Sequence, residues 1–145
     1  MKRILYSLIL AMTLFSTSCD KKESVNNSPD ISGNYSCSFS ISASPVYNVS
    51  ETITIQKSGD SGFKIVGNTP FTNATIWPIT GNQYQFRIPQ TDIIKNGKTY
   101  YLTLVATLTY ESGIFKTYSC QAAYGEKGVS GSNYTVTNFR LKKQQ

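Results

Sequence analysis

Tyr100-Tyr101-Leu102-Thr103-Leu104-Val105-Ala106-Thr107-Leu108-Thr109-Tyr110 is the stretch whose reading decides the fold. Tyr100, Leu102, Leu104, Ala106 and Leu108 recur at every second position, with Thr103, Thr107 and Thr109 between them. A period of two places the apolar set on one face of a β-strand and the threonines on the other, so this strand is expected to be buried on one side only. Thr, Tyr and Val also suit a pleated, half-buried surface.

The same alternation extends in both directions. Tyr35, Cys37, Phe39 and Ile41 alternate with Ser36, Ser38 and Ser40, and Tyr84, Phe86 and Ile88 alternate with Gln83, Gln85 and Arg87. Turn signals separate these runs: Gly59-Asp60-Ser61-Gly62, Gly81-Asn82, Asn96-Gly97 and Ser112-Gly113. Asn-Gly supplies the positive φ angles of a tight hairpin. The pattern predicts strands over 33–41, 49–57, 62–67, 73–79, 83–88, 99–110, 113–123 and 133–142, spaced as consecutive hairpins. No part of the body carries a helical period. The expected fold is all-β: a single antiparallel meander of about eight strands, closed or nearly closed into a barrel, because closure removes exposed edges.

The N-terminus has a different character. Lys2-Arg3 precedes an apolar run from Ile4 to Phe15, and Ser16-Thr17-Ser18 leads into Cys19. The run is too short for a membrane span, which needs about 20 apolar residues. The polar, charged, Pro-containing segment after it is expected of a processed signal. The layout resembles a bacterial lipoprotein signal peptide, with the Ser-Cys junction familiar among Bacteroidota; Ser16 stands where the usual lipobox has Leu. The resemblance implies a signal peptide over 1–18 and lipid attachment at Cys19. It also implies an anchor in the outer membrane, on its periplasmic or cell-surface face. An ordinary secretory signal cut near Ser16 or Ser18 is the alternative. Asp20-Lys21-Lys22-Glu23 partly resembles the surface-export signals of such lipoproteins, or is simply a solvated tether. Residues 19–29 read as that flexible tether and 30–145 as one domain.

Charge and cysteine usage fit export. The formal charge of +6 falls to +4 once Lys2 and Arg3 leave with the signal. The basic residues of the body are scattered, with only Lys142-Lys143 paired near its end, and no basic stripe is interleaved with aromatics, so nucleic acid is not an expected partner. With Cys19 lipidated, Cys37 and Cys120 remain, each inside a Tyr-Ser-Cys string. An oxidising compartment permits a bridge between them, and two buried free thiols are the other reading. Cys120 shares a strand phase with Ile114, Tyr118 and Ala122, but Lys116 on that phase is a misfit, and a bulge near it is expected.

Chemistry is sparse. The chain has no His, which removes the commonest general base and transition-metal ligand and excludes a Ser-His-Asp triad. Gly128-Val129-Ser130-Gly131-Ser132 fails as a nucleophile elbow at its last residue. Glu51 and Asp92, which flank apolar runs, are the acids worth testing for carboxylate catalysis. No metal, cofactor or enzymatic activity is expected.

Gly33-Asn34-Tyr35 opens the first strand where lipocalins carry Gly-x-Trp, and Arg140 lies on the last strand where they place a basic residue over that aromatic. In this layout the body resembles small lipocalin-like barrel lipoproteins of Bacteroidota, with Tyr35 replacing the Trp. The aromatic-rich body and its sparse chemistry make a non-enzymatic module holding an apolar or glycan ligand at the barrel mouth the expected function. Candidate contacts are Trp77, Tyr84, Phe86, Arg87 and Tyr101. If Ala74, Ile76 and Pro78 face inward, Trp77 and Ile79 face outward, beside outward Tyr101 or Phe115; with the faces reversed, Trp77 lines the interior. The alternative function is a protein–protein module, either an accessory subunit of an envelope complex or an enzyme inhibitor.

Overall fold

A computed structural model describes residues 28–59 and 62–145. The expected signal peptide, the expected lipid-attachment residue Cys19 and most of the expected tether lie outside the described residues. The rest is all-β, with nine strands in one antiparallel sheet. They are β1 (Gly33–Ile41), β2 (Tyr47–Ser58), β3 (Gly62–Val66), β4 (Thr75–Thr80), β5 (Gln83–Lys95), β6 (Lys98–Glu111), β7 (Ile114–Glu126), β8 (Ser132–Thr135) and β9 (Arg140–Lys143). The spatial order is β8-β7-β6-β5-β4-β3-β2-β1-β9, a meander in which each strand from β1 to β7 pairs with its successor, while β9 returns to β1.

The alternation in β6 sorts as its sequence dictates. Tyr100, Leu102, Leu104, Ala106 and Leu108 are buried, while Val105 is exposed and Thr103, Thr107 and Thr109 are half-buried. Each buried Leu contributes about 1.5–3 kcal/mol by leaving water. Asn96 and Gly97 both adopt positive φ between the paired Lys95 and Lys98, and Ser112 and Gly113 do so between Glu111 and Ile114. These are the primed two-residue turns whose twist matches the flanking strands.

Two strands differ from the sequence pattern because of bulges. β5 does not stop at Ile88. The register slips between Ile88 and Thr91, which leaves Pro89 outside the ladder, and the strand then runs on to Lys95. Pro89 has no N–H to donate, and a bulge is where a sheet tolerates it. Thr103 donates its hydroxyl to the Ile88 carbonyl at 3.0 Å across this site. In β7 the register slips between the pairs Thr107–Ser119 and Leu108–Thr117, and Tyr118 is the extra residue. The bulge reverses the phase: Cys120, Ala122 and Tyr124 face inward after it, and Phe115 before it. Ile114, Lys116 and Tyr118 therefore point outward, with Tyr118 84% exposed, and the Lys116 misfit disappears.

The expected closure is not reached: the sheet has two ends, β8 and β9. The single terminal strand expected over 133–142 divides and changes partner. β8 pairs with β7, and β9 pairs with β1, from Tyr35–Lys143 to Ser38–Arg140. Two side chains and one backbone amide fill in where the ladder lapses. Asn138 Oδ1 accepts the Ser40 N–H at 3.1 Å, Thr117 Oγ1 donates to the Phe139 carbonyl at 2.9 Å, and the Val136 N–H donates to the Cys120 carbonyl. The two edges thus meet along the terminal segment without a continuous ladder.

The interior is aromatic. Phe86 contacts Phe71 and Phe139, with ring centroids 6.3 and 5.2 Å apart, and Tyr124 stacks between Tyr47 and Tyr100 at 5.4 and 5.5 Å. Offset and edge-on contacts of this kind add to the stabilisation from burial. Cys37 and Cys120 are both buried free thiols, so the expected bridge is not formed. Cys37 is level with Leu141 of β9, whereas the Cys120 carbonyl takes the N–H of Val136 near the other end of the terminal segment.

Candidate functional site

The outward face of β4 to β8 presents two parallel rows set by register. One runs Trp77, Gln85, Thr107, Ser119, and the other runs Thr75, Arg87, Val105, Gln121, Thr135. Ala74 and Ile76 are buried, so Trp77 takes the outward phase and is half-buried against the sheet. Arg87, one pleat along from Gln85, is exposed. Trp77 therefore shares its face with amide, hydroxyl and guanidinium side chains, a mix that can stack on a flat ligand and hydrogen-bond its edges. A further slip between Pro78 and Thr80 leaves Ile79 as the extra residue, exposed at the end of this face.

The five expected contacts are not gathered in one place. Tyr84 and Phe86 are 0% exposed and belong to the core. Trp77 and Arg87 share the outward face. Tyr101 is also outward but lies over two glycines: a Cβ on Gly131 would fall 1.5 Å from its hydroxyl, and one on Gly125 would fall 3.3 Å away. Phe115, expected outward, is 8% exposed and packs on Tyr35, Tyr84 and Tyr110. The Tyr118 bulge is the reason. Asp92 pairs with Lys127, and Glu51 is exposed on β2, so the two acids singled out for catalysis sit on separate strands without a shared cavity. No group of His, Cys, Asp or Glu among the described residues could hold a metal.

A second feature, the seam between β7 and β9, was not signalled by the sequence. A cleft of about 400 Å³ opens where these two strands come together without a ladder. Phe115, Phe139 and Leu141 supply buried apolar lining, Ile114 is 61% exposed beside them, and Arg140, Lys142 and Lys143 add three cations. The Lys143 ammonium lies 5.9 Å from the centroid of the Tyr35 ring. Lys143, rather than the expected Arg140, is thus the basic residue over that aromatic; Arg140 pairs with Ser38 and is exposed. Gly33 makes room for this contact: its φ is +142°, and a Cβ there would meet Lys143 Cε at 2.8 Å. The pattern of β9 gave no hint of a cleft, because the cleft arises from the change of partner between β8 and β9.

Burial shifts the neighbouring titrating groups. Desolvation pushes the Tyr84 phenol up to about 12 and the Cys120 thiol up to about 12. It raises Cys37 further, with a smaller contribution from the Cys120 charge. Thiols held protonated in this way are poor nucleophiles. The Tyr124 hydroxyl is buried with no hydrogen-bond partner among the described residues.

No protein-family model, curated protein or solved structure matches the chain. No helix among the described residues is long and apolar enough to cross a membrane.

Proposed function

We propose that this chain is a lipid-anchored extracytoplasmic binding protein without enzymatic activity, attached through Cys19 to the outer membrane, and that its ligand is a glycan met on the outward β4–β8 face. One observation carries the glycan reading. The only tryptophan of the chain, Trp77, is half-buried on a sheet face in register with Gln85 and Thr107 and beside Arg87. The core positions of Tyr84 and Phe86 argue against an apolar ligand held among them. The packing of Lys143 over Tyr35 next to Gly33 supports a lipocalin-like reading of the architecture.

Because Trp77 is the sole tryptophan, emission excited selectively at tryptophan, beyond tyrosine absorption, reports on this face alone. Titration with a panel of envelope and host oligosaccharides is expected to shift its emission, and Arg87→Ala is expected to weaken the response. An emission spectrum indifferent to every glycan would end the glycan reading. Lipidation is tested separately by labelling cells with radioactive palmitate: the label is expected in the wild-type chain and absent from Cys19→Ser.

Exposed Val105 and Tyr118 near this face favour a second reading, a protein–protein module acting as an accessory subunit or inhibitor. Cross-linking from position 118 in cells distinguishes the two, since a glycan-binding face yields no discrete protein adduct.

A further inference from the structure

We infer that the cleft between β7 and β9 binds an anionic phospholipid of the membrane to which the chain is tethered. The inference takes only the anchoring at Cys19 from the proposed function; the glycan-binding face plays no part in it. Arg140, Lys142 and Lys143 contribute three positive charges to the lining, and no acidic side chain lines the cleft. None of the three takes part in the ion pairs of the described residues, which join Lys98 to Glu126, Lys116 to Glu111 and Lys127 to Asp92. The floor is Phe115 and Leu141, with Ile114 exposed at the mouth. Cations around an apolar slot match a phosphate headgroup carrying an acyl chain, and the volume of about 400 Å³ is that of a small-ligand pocket.

The path of the chain places this cleft toward the membrane. Lys143 is level with Tyr35, and the Tyr35 hydroxyl donates to the Ile31 carbonyl. Tyr84 fixes Pro29 at the same end of the sheet. The turn at Ser112-Gly113, beside Ile114, lies at this end too, because Tyr84 pairs with Leu108 and the Tyr110 N–H donates to the Asn82 carbonyl. The tether therefore leaves from the end at which the cleft opens. From Cys19 to Ser28 an extended chain reaches at most about 30 Å. A short tether leaving this end brings Arg140 and Lys142 close to the lipid surface, where each basic residue is attracted to acidic headgroups.

The test is vesicle co-sedimentation of the unlipidated mature chain, made from residue 19 onward with Cys19→Ser. Its outcome therefore does not depend on whether lipidation occurs. Vesicles of phosphatidylcholine are compared with vesicles containing one part phosphatidylglycerol to two parts phosphatidylcholine. Binding is expected only to the anionic vesicles. Arg140→Gln and Lys142→Gln should each weaken it about fivefold. Ile114→Ser should weaken it without altering the charge, while Lys95→Gln at the opposite end should leave it unchanged. Absence of binding overturns the inference, as does equal binding to neutral vesicles. An equal loss in Lys95→Gln would also overturn it, by showing attraction to net charge rather than to the cleft.

Discussion

The hydroxyl of Tyr84 on β5 donates to the carbonyl oxygen of Pro29 at 2.7 Å, tying the first described residues to the end of the sheet. The Tyr84 ring meets Phe63, Tyr110 and Phe115 in edge-on contacts, so one residue serves both the core and the entry of the chain.

Tyr84→Phe keeps the ring and removes the donor. It should cost about 1–2 kcal/mol, because the Pro29 carbonyl loses its partner. Urea denaturation should show a lower midpoint with an unchanged slope. Limited proteolysis should cut faster near residues 28–31. An unchanged midpoint would mean that water replaces the hydroxyl without loss.

Phe86 and Arg87 are adjacent in sequence and lie on opposite faces of β5. Phe86→Ala should destabilise by about 3–5 kcal/mol through a cavity beside Phe71 and Phe139. Arg87→Ala should change stability by no more than about 0.5 kcal/mol. Thermal denaturation of the two variants tests the strand phase directly, and a reversed order would refute it.

Gly131 has an ordinary φ, so its constraint is steric. A Cβ would fall on the Tyr101 hydroxyl and lie 2.5 Å from Cζ. Gly131→Ala should cost about 1–3 kcal/mol by displacing the ring. In a Tyr101→Ala background most of that cost should vanish, giving a coupling energy above about 0.5 kcal/mol in a double-mutant cycle. Additive effects would show that the ring is not held over Gly131.

Alkaline pH should unfold the protein. Tyr84 and Tyr47 ionise at about 12 in the fold against an ordinary 10.0, and Cys120 at about 12 against 9.0. Desolvation is the largest cause in each. Between these values the unfolded chain releases protons that the fold retains. Stability from these groups is therefore fully present below pH 9 and falls as pH rises from 9 towards 12. Tyrosinate absorbance should rise in two stages, the buried set appearing together with loss of the β-sheet circular dichroism signal. One smooth titration near pH 10 with the fold intact would contradict this.

Buried thiols predict slow chemistry as well. In the Cys19→Ser chain, Cys37 and Cys120 should resist a thiol reagent at neutral pH and react when urea is added without reductant. Reaction only after reduction would show that they are bridged in solution.

The faces of β1, β5 and β6 were legible in the sequence because strict alternation leaves one choice of phase. Trp77 was legible only as a conditional, resolved by the burial of Ala74 and Ile76. β7 misled over Phe115, Ile114 and Tyr118, because a single bulged residue reverses every side chain before it. The misplaced Lys116 signalled a bulge nearby, but position 118 has no Gly or Pro to fix its place, which shows in the pairing of β7 with β6.

By itself the sequence determined an all-β meander, its hairpin turns at Asn96-Gly97 and Ser112-Gly113, and the inward set of its central strand. These are local properties, fixed by period-two patterning and by the φ angles that turn residues adopt. Only the tertiary structure decided that the terminal segment leaves β7 for β1 between Thr135 and Arg140, that Lys143 covers Tyr35, and that a basic-rimmed cleft opens between β7 and β9. Those features depend on which distant strand edge a segment meets. Partner choice at a sheet edge is set by how the whole sheet curls, and no local pattern records it.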